Sequence, residues 1–127
     1  MAEVNESGCK PFEADEAIAQ YARVKLDSDG KVTTAGLADK DIGTATREAF
    51  AAGDVIAVRL RSASGTHKCL ASEALAAGAT VYTEASGKVQ DTAQATSFQL
   101  GTALDAATAD GDVIEVLYNT HGDTAAV

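Results

Sequence analysis

The densest run of reactive side chains in the sequence is His67-Lys68-Cys69, which offers two ligands for a soft metal or a thiol beside a potential base. Zinc takes three or four such ligands, and here the rest would have to come from Cys9, His121 or carboxylates at no recognised metal-site spacing. A nucleophilic thiolate needs an electropositive, accessible setting, and Leu70 follows Cys69 directly, so the run reads as part of a strand with an inert thiol. Asp27-Ser28-Asp29-Gly30 opens like a calcium loop. Counted from Asp27, however, the sixth and twelfth positions of an EF-hand fall on Val32 and Ala38 instead of Gly and Glu. Asp-Gly between two short apolar runs is a hairpin turn. Ser62, Ser64, Ser72, Ser86 and Ser97 lie in no nucleophile elbow, and a Gly-x-x-x-x-Gly-Lys phosphate loop does not occur. The chemistry of this chain is therefore expected to be binding, without catalysis, cofactor or metal.

The totals bound what is bound. Ten basic against 19 acidic residues give a net charge of −9, the wrong sign for a phosphate backbone or an anionic bilayer. Nothing near MAEVNESGCK resembles a secretion signal, and two cysteines, Cys9 and Cys69, make no disulfide framework, so synthesis in a reducing cytoplasm with free thiols is expected. Of the 127 residues, 46% are hydrophobic, but many of these are Ala and only 5% are aromatic. Such a core is thin, and association with a larger surface would support it.

The elements that position any site come in two copies. Ile42–Ser62, IGTATREAFAAGDVIAVRLRS, lies over Leu100–Thr120, LGTALDAATADGDVIEVLYNT; the shared Gly-Asp-Val-Ile-x-Val is the informative part. Upstream, EAIAQYARVKLDSDGKV from Glu16 lies over EALAAGATVYTEASGKV from Glu73, with one residue inserted between the two matches. The chain therefore divides into a flexible acidic arm over 1–15, a single β domain over 16–120 made of repeats 16–62 and 73–120, and a tail over 121–127. Neither repeat is long enough to fold alone, so the two halves are expected to complete one shared core.

Period-2 alternation makes the fold all-β, a small barrel or sandwich. It places Val24, Ile56, Val58, Leu60, Val81, Ile114, Val116 and Tyr118 inward. Gly30, Gly53, Gly87 and Gly111 are the expected turn glycines, with Asp54 and Asp112 bonding their own turns. Glu16–Gln20 and Ser72–Ala77 read as single helical turns with acidic starts. The charges of Arg23, Lys25, Arg59 and Arg61 would guard open strand edges, or mark where a partner strand adds.

The pattern Leu100-Gly101-Thr102-Ala103, then Ala106 to Ala109, then Gly111-Asp112-Val113-Ile114-Glu115-Val116-Leu117 resembles phage capsid cement, or head-decoration, proteins of the small β-barrel or β-tulip kind. The lead-in Leu75-Ala76-Ala77-Gly78-Ala79-Thr80-Val81-Tyr82 and the hairpin Gly87-Lys88-Val89 are similar to the same family. The resemblance covers about Val55 to Tyr118. It implies a structural virion protein on the capsid exterior, often a homotrimer, that clamps major capsid protein subunits together. Chain ends commonly make that contact, which points to Pro11, Phe12 and Tyr21. A second resemblance competes: Asp39-Lys40 is similar to the modified lysine of lipoyl and biotinyl domains, which would make the chain a group carrier. The third reading is a β-domain that binds another protein through a strand edge.

Overall fold

In a computed structural model, residues 7–119 and the short strand Thr124–Ala125 are described. The first six residues of the expected arm, and the rest of the expected tail, lie outside them. Eleven strands run in the order β1 (Cys9–Glu13), β2 (Arg23–Leu26), β3 (Val32–Thr34), β4 (Gly43–Ala45), β5 (Val55–Leu60), β6 (His67–Ala71), β7 (Thr80–Thr83), β8 (Lys88–Gln90), β9 (Phe98–Ala103), β10 (Val113–Tyr118) and β11 (Thr124–Ala125). The only helical piece among the described residues is a 3₁₀ turn at Ala85–Gly87. The fold is all-β and built from two repeated halves.

The duplication is complete at the level of pairing. In the first half the sheet order is β1-β5-β4-β2-β3, and in the second β6-β10-β9-β7-β8 repeats it strand for strand. The second half closes into a five-stranded barrel, because β6 also pairs in parallel with β8, Leu70 opposite Lys88 and Ala71 opposite Val89. The first half makes the same closure through one parallel bridge, Ala14 to Val32. β11 adds to β9 beyond the end of β10.

This pairing corrects the expected arm. Cys9–Glu13 is the antiparallel neighbour of β5, and the Ala14 that follows is fully buried. Residues 9–14 are the first strand of the first barrel, so the unit starts before Glu16. The bonds from Ala14 N–H to Asp54 O and from Leu60 N–H to Gly8 O set the parity of β1, whose even residues face β5 with their backbone groups. Pro11 is odd. Its missing N–H therefore falls on the open side of β1, where a proline costs no ladder bond and discourages an added strand.

The expected shared core is also replaced by two. One cluster holds Ala14, Ile18, Ala22, Val24, Val32, Ala45, Ala49, Ile56 and Val58, with Phe12, Ile42 and Leu70 against it. The other holds Cys69, Ala71, Leu75, Val81, Val89, Leu100, Ala103, Ala107, Ile114, Val116 and Tyr118. Closing each sheet on itself lets about fifty residues bury an apolar interior of their own, with Leu70 of β6 as the second barrel's contribution to the first core. Leu60, the last residue of β5, is only half-buried. The expected helical turns are extended instead: Ile18 and Ala49 exchange both backbone bonds, as do Leu75 and Ala107, and so cap the barrel ends.

Two matched glycines show why the repeat is readable at all. A Cβ at Gly43 would stand 2.0 Å from Arg59 O, and one at Gly101 would stand 1.9 Å from Leu117 O. Neighbouring backbones approach too closely there for any side chain.

The two cores predict separable damage. Val58→Asp and Val116→Asp each bury an unpaired charge and should cost about 4 kcal/mol or more. Amide exchange should show V58D stripping protection first from residues 14–58, and V116D first from residues 69–118. Equal loss across both halves in either variant would contradict independent cores.

Candidate functional site

Where the barrels meet, the chain buries polar groups. Arg23 is fully buried on β2; its Nε donates to Lys88 O at 3.0 Å and its Nη2 to Glu84 O at 2.7 Å and Gly36 O at 3.1 Å. Its Nη1 meets Asp41 Oδ2 at 3.4 Å, with both side chains wholly out of solvent. Asp41 also receives Arg61 and the Tyr118 hydroxyl, each at 3.4 Å. Gly87 completes the joint: its N–H donates to Ala35 O, and a Cβ there would lie 2.9 Å from Ala22 Cβ. The equivalent Gly30 has nothing within 4 Å, so the same turn is free in one barrel and locked in the other.

Reactive groups in this seam are quenched. Burial pushes the Cys69 thiol up to about 12, and its Sγ sits 3.9 Å from the Tyr118 hydroxyl. Tyr118 is itself raised well above its usual range by burial and by Asp41. His67 Nε2 lies 2.8 Å from Leu60 O; a carbonyl only accepts, so Nε2 carries the proton. Desolvation then lowers the imidazole pKa and keeps the ring neutral. Cys69 is a free thiol. The cluster that the sequence offers for metal or nucleophilic chemistry is thus taken up by packing.

A second acidic group gathers where the first hairpin folds back. Asp15, Asp27 and Asp29 bring carboxylate oxygens within 4.8 Å of one another. Sharing a hydrogen bond with Asp27 holds Asp15 above the ordinary range, desolvation adding to it. The second barrel has Ser72, Glu84 and Ser86 at these places, so the cluster is not part of the repeated design.

Above the seam lies an open cleft of about 630 Å³, lined from both barrels by Tyr21, Thr44, Thr46, Arg59, Thr66, Lys68, Asp105, Val113 and Glu115, with His67 behind. Lys68 Nζ stands 5.3 Å from the centre of the Tyr21 ring. Arg59 is fixed by Thr66 O and Ser64 O, and Glu115 accepts the Thr66 hydroxyl. Tyr21 itself is strained, with φ at +68°. The left-handed region costs a non-glycine residue about 1–2 kcal/mol. Its counterpart is Gly78, with φ at +89° and the same backbone bond, Gly78 N–H to Ala103 O as Tyr21 N–H to Ala45 O.

Residues 62–118 match the family model for phage cement proteins. The match falls on the segment that carried the resemblance in the sequence, and that resemblance stands. The chain is also similar to a solved structure, the N base of the head fiber gp8.5 of bacteriophage phi29, at a TM-score of 0.72 and 14% identity, covering 91% of this chain and 96% of that one. At that identity the likeness is one of fold. No curated protein sequence matches the chain.

The remaining sequence-derived residues can now be placed. Pro11 is exposed on the outer face of β1, whereas Phe12, opposite Ile56, packs toward the first core. They do not act as one apolar dipeptide, and Tyr21 is in the cleft. Lys40 is exposed, but its loop is docked: Leu37 O accepts the Thr83 hydroxyl, and Lys40 Nζ lies 5.2 Å from the Phe98 ring centre. A swinging carrier arm needs a free hairpin tip, and this loop is part of the seam. Gly53 and Gly111 have φ of +97° and +92°, and Asp54 and Asp112 accept the N–H groups of Phe50 and Ala51 and of Thr108 and Ala109.

That turn presents a residue the sequence reading passes over. Phe50 is 75% exposed and Val55 61%, side by side around a shallow hollow with Arg47 and Glu48. On the outer face of the sheet Val55 pairs with Glu13, and Ala57 with Pro11, which extends the apolar patch. In the second copy the turn carries Thr108, whose hydroxyl bonds Asp112. Phe50 replacing Thr108 in an otherwise matched turn was the available signal.

Two measurements test these geometries. Arg23→Ala leaves Asp41 buried without the Arg23 guanidinium and should cost about 3 kcal/mol in urea unfolding. Asp112 is held below the ordinary carboxylate range, first by the Thr108 N–H and then by its hydroxyl. A depressed folded pKa stabilises the protein above the unfolded value, and that contribution disappears as pH falls through the folded one. Asp112→Ala should therefore destabilise at neutral pH, and the deficit should shrink in strong acid.

Proposed function

We propose that this chain is a non-enzymatic structural protein of a phage particle that decorates the outside of the head and cements it by gripping major capsid protein subunits. The observation that carries the reading is the cement-family match over 62–118, joined to a whole-chain fold shared with a phage head-fiber base. The chemistry is consistent with it. Reactive side chains of the seam are buried and neutralised, and the net charge of −9 keeps such a protein off the packaged genome. Rigid strands hold exposed apolar side chains in fixed positions, which suits a clamp.

The capsid contact in this reading is the outer face of the first barrel, with Phe50 and Val55 as anchors and Pro11 beside them. A large aromatic held by a fixed backbone contributes contact area with little entropy to lose. Assembly as a homotrimer, with synthesis in the host cytoplasm before docking, completes the proposal.

Sedimentation with undecorated heads tests it. The wild-type chain should co-sediment to saturation at a fixed copy number per head, and Phe50→Ser should weaken binding roughly thirty-fold, the equivalent of about 2 kcal/mol. A wild-type chain that stays in the supernatant with saturating heads of its own phage would refute the cement reading. Normal binding by F50S would remove only the assignment of the face.

A further inference from the structure

We propose that the cleft between the barrels is a binding site for a neutral carbohydrate, with Tyr21 as its stacking platform. The proposal does not rest on the capsid reading. It starts from the duplication, which serves as an internal control. The backbone at position 21 must be left-handed, because the same turn with the same hydrogen bond recurs at Gly78. Glycine meets that demand without strain, and the second barrel uses it. The first barrel instead holds a tyrosine there, in an otherwise costly conformation, at the wall of the cleft between the barrels. The ring meets the Lys68 ammonium across the cleft, so the reason for it lies on the side the cleft opens.

The lining specifies the class of ligand. At about 630 Å³ the cleft is of the size that takes small ligands. Its charges cancel, with Arg59 and Lys68 against Asp105 and Glu115, and Thr44, Thr46 and Thr66 add hydroxyls. A phosphate would meet two carboxylates, and a cation would meet a guanidinium and an ammonium. A ligand with many hydroxyls and no charge can donate to the first pair and accept from the second. Lys68, exposed above the Tyr21 ring, is a mobile donor that such a ligand would share. The flat C–H face of a pyranose matches the aromatic ring, and Val113 offers a further apolar contact.

An extended peptide is a poorer match for a reason of topology. The strands under the cleft are β4, β5, β6 and β10, and each already has a neighbour on both sides. Most main-chain pairing along these strands is already taken, so recognition falls to side chains on a preformed surface. That is how sugars are held.

The test uses the full chain, labelled with ¹⁵N, titrated with chitotetraose, maltotetraose and lactose. At least one should bind with a Kd of about 1 mM or tighter. Amide shifts should centre on Tyr21, Thr44, Lys68 and Glu115, and affinity should be the same at low and high salt, as for an uncharged ligand. Tyr21→Gly should reduce affinity at least about tenfold while its melting temperature stays equal to or above wild type. Tyr21→Asn, which also tolerates the left-handed region, provides a second stacking-deficient variant and should behave alike. Lack of binding to all three sugars, shifts that map elsewhere, or undiminished binding by both variants would overturn the proposal. So would unfolding of both variants, which would make Tyr21 a structural residue, or binding of a neutral Ser/Thr-rich peptide at the same residues in place of the sugars.

Discussion

The joint between the barrels depends on one buried cation. Arg23 has no solvent to hydrate it, and taking a guanidinium out of water costs several kcal/mol unless its donors are met. They are met by groups from both barrels: Glu84 O and Lys88 O from the second, Gly36 O and the Asp41 carboxylate from the first. Separating the barrels would strip Arg23 of two carbonyls and Asp41 of the Tyr118 hydroxyl at once. An apolar seam of the same area could slide. This one holds a single register, because only one arrangement satisfies a planar fork of donors. Gly87 is part of the same constraint, since its missing Cβ lets the second barrel's turn reach the backbone of β2.

How much of this could be read from the chain follows from which residues the backbone dictates. The Gly-Asp turn, the close-approach glycines and the alternating strands recur because geometry demands them, and they were legible. The first strand was not. CKPFEA over THKCLA keeps little beyond Ala14 and Ala71, because a strand with one buried face tolerates many sequences and Pro11 disguises it as a loop. The shared core was expected from the length of the repeats; with β1 added, the first sheet has the fifth strand it needs to close. The capping segments at Ile18 and Leu75 were hidden differently. They contribute single apolar residues and one pair of backbone bonds each, too short a pattern to show a period.

The candidate sites were legible only by comparing the copies. Tyr21 was named in the sequence as a capsid contact, with Pro11 and Phe12, but its place in the cleft comes from Gly78 and a positive φ, which no sequence displays. Arg23 was expected to guard a strand edge, and it and Asp41 match Thr80 and Gln99 in the other copy. Both proved to be the seam. Charged residues in a β pattern are ordinarily solvated, and only a partner element arriving from 60 residues away changes that.

The match to the cement-protein family model falls on one copy only. The matched segment, 62–118, is the second barrel with its linker, and that barrel holds the residues the fold prefers: Gly78 in the left-handed turn and Thr108 satisfied by Asp112. The first barrel keeps the same pairings but has exchanged those residues for Tyr21 and Phe50, neither of which its backbone requires. A duplicated fold permits this, because one copy can retain the ordinary solution at each turn while the other departs from it. The departures cost strain and exposed apolar surface, and they cluster at two surfaces, the cleft and the outer face of β5. A copy that drifted without constraint would be expected to scatter its substitutions and to lose its turn bonds. Here Asp54 still holds the backbone of Phe50, and Ala45 O still holds that of Tyr21, so the first barrel remains a precise support for side chains whose use lies outside it.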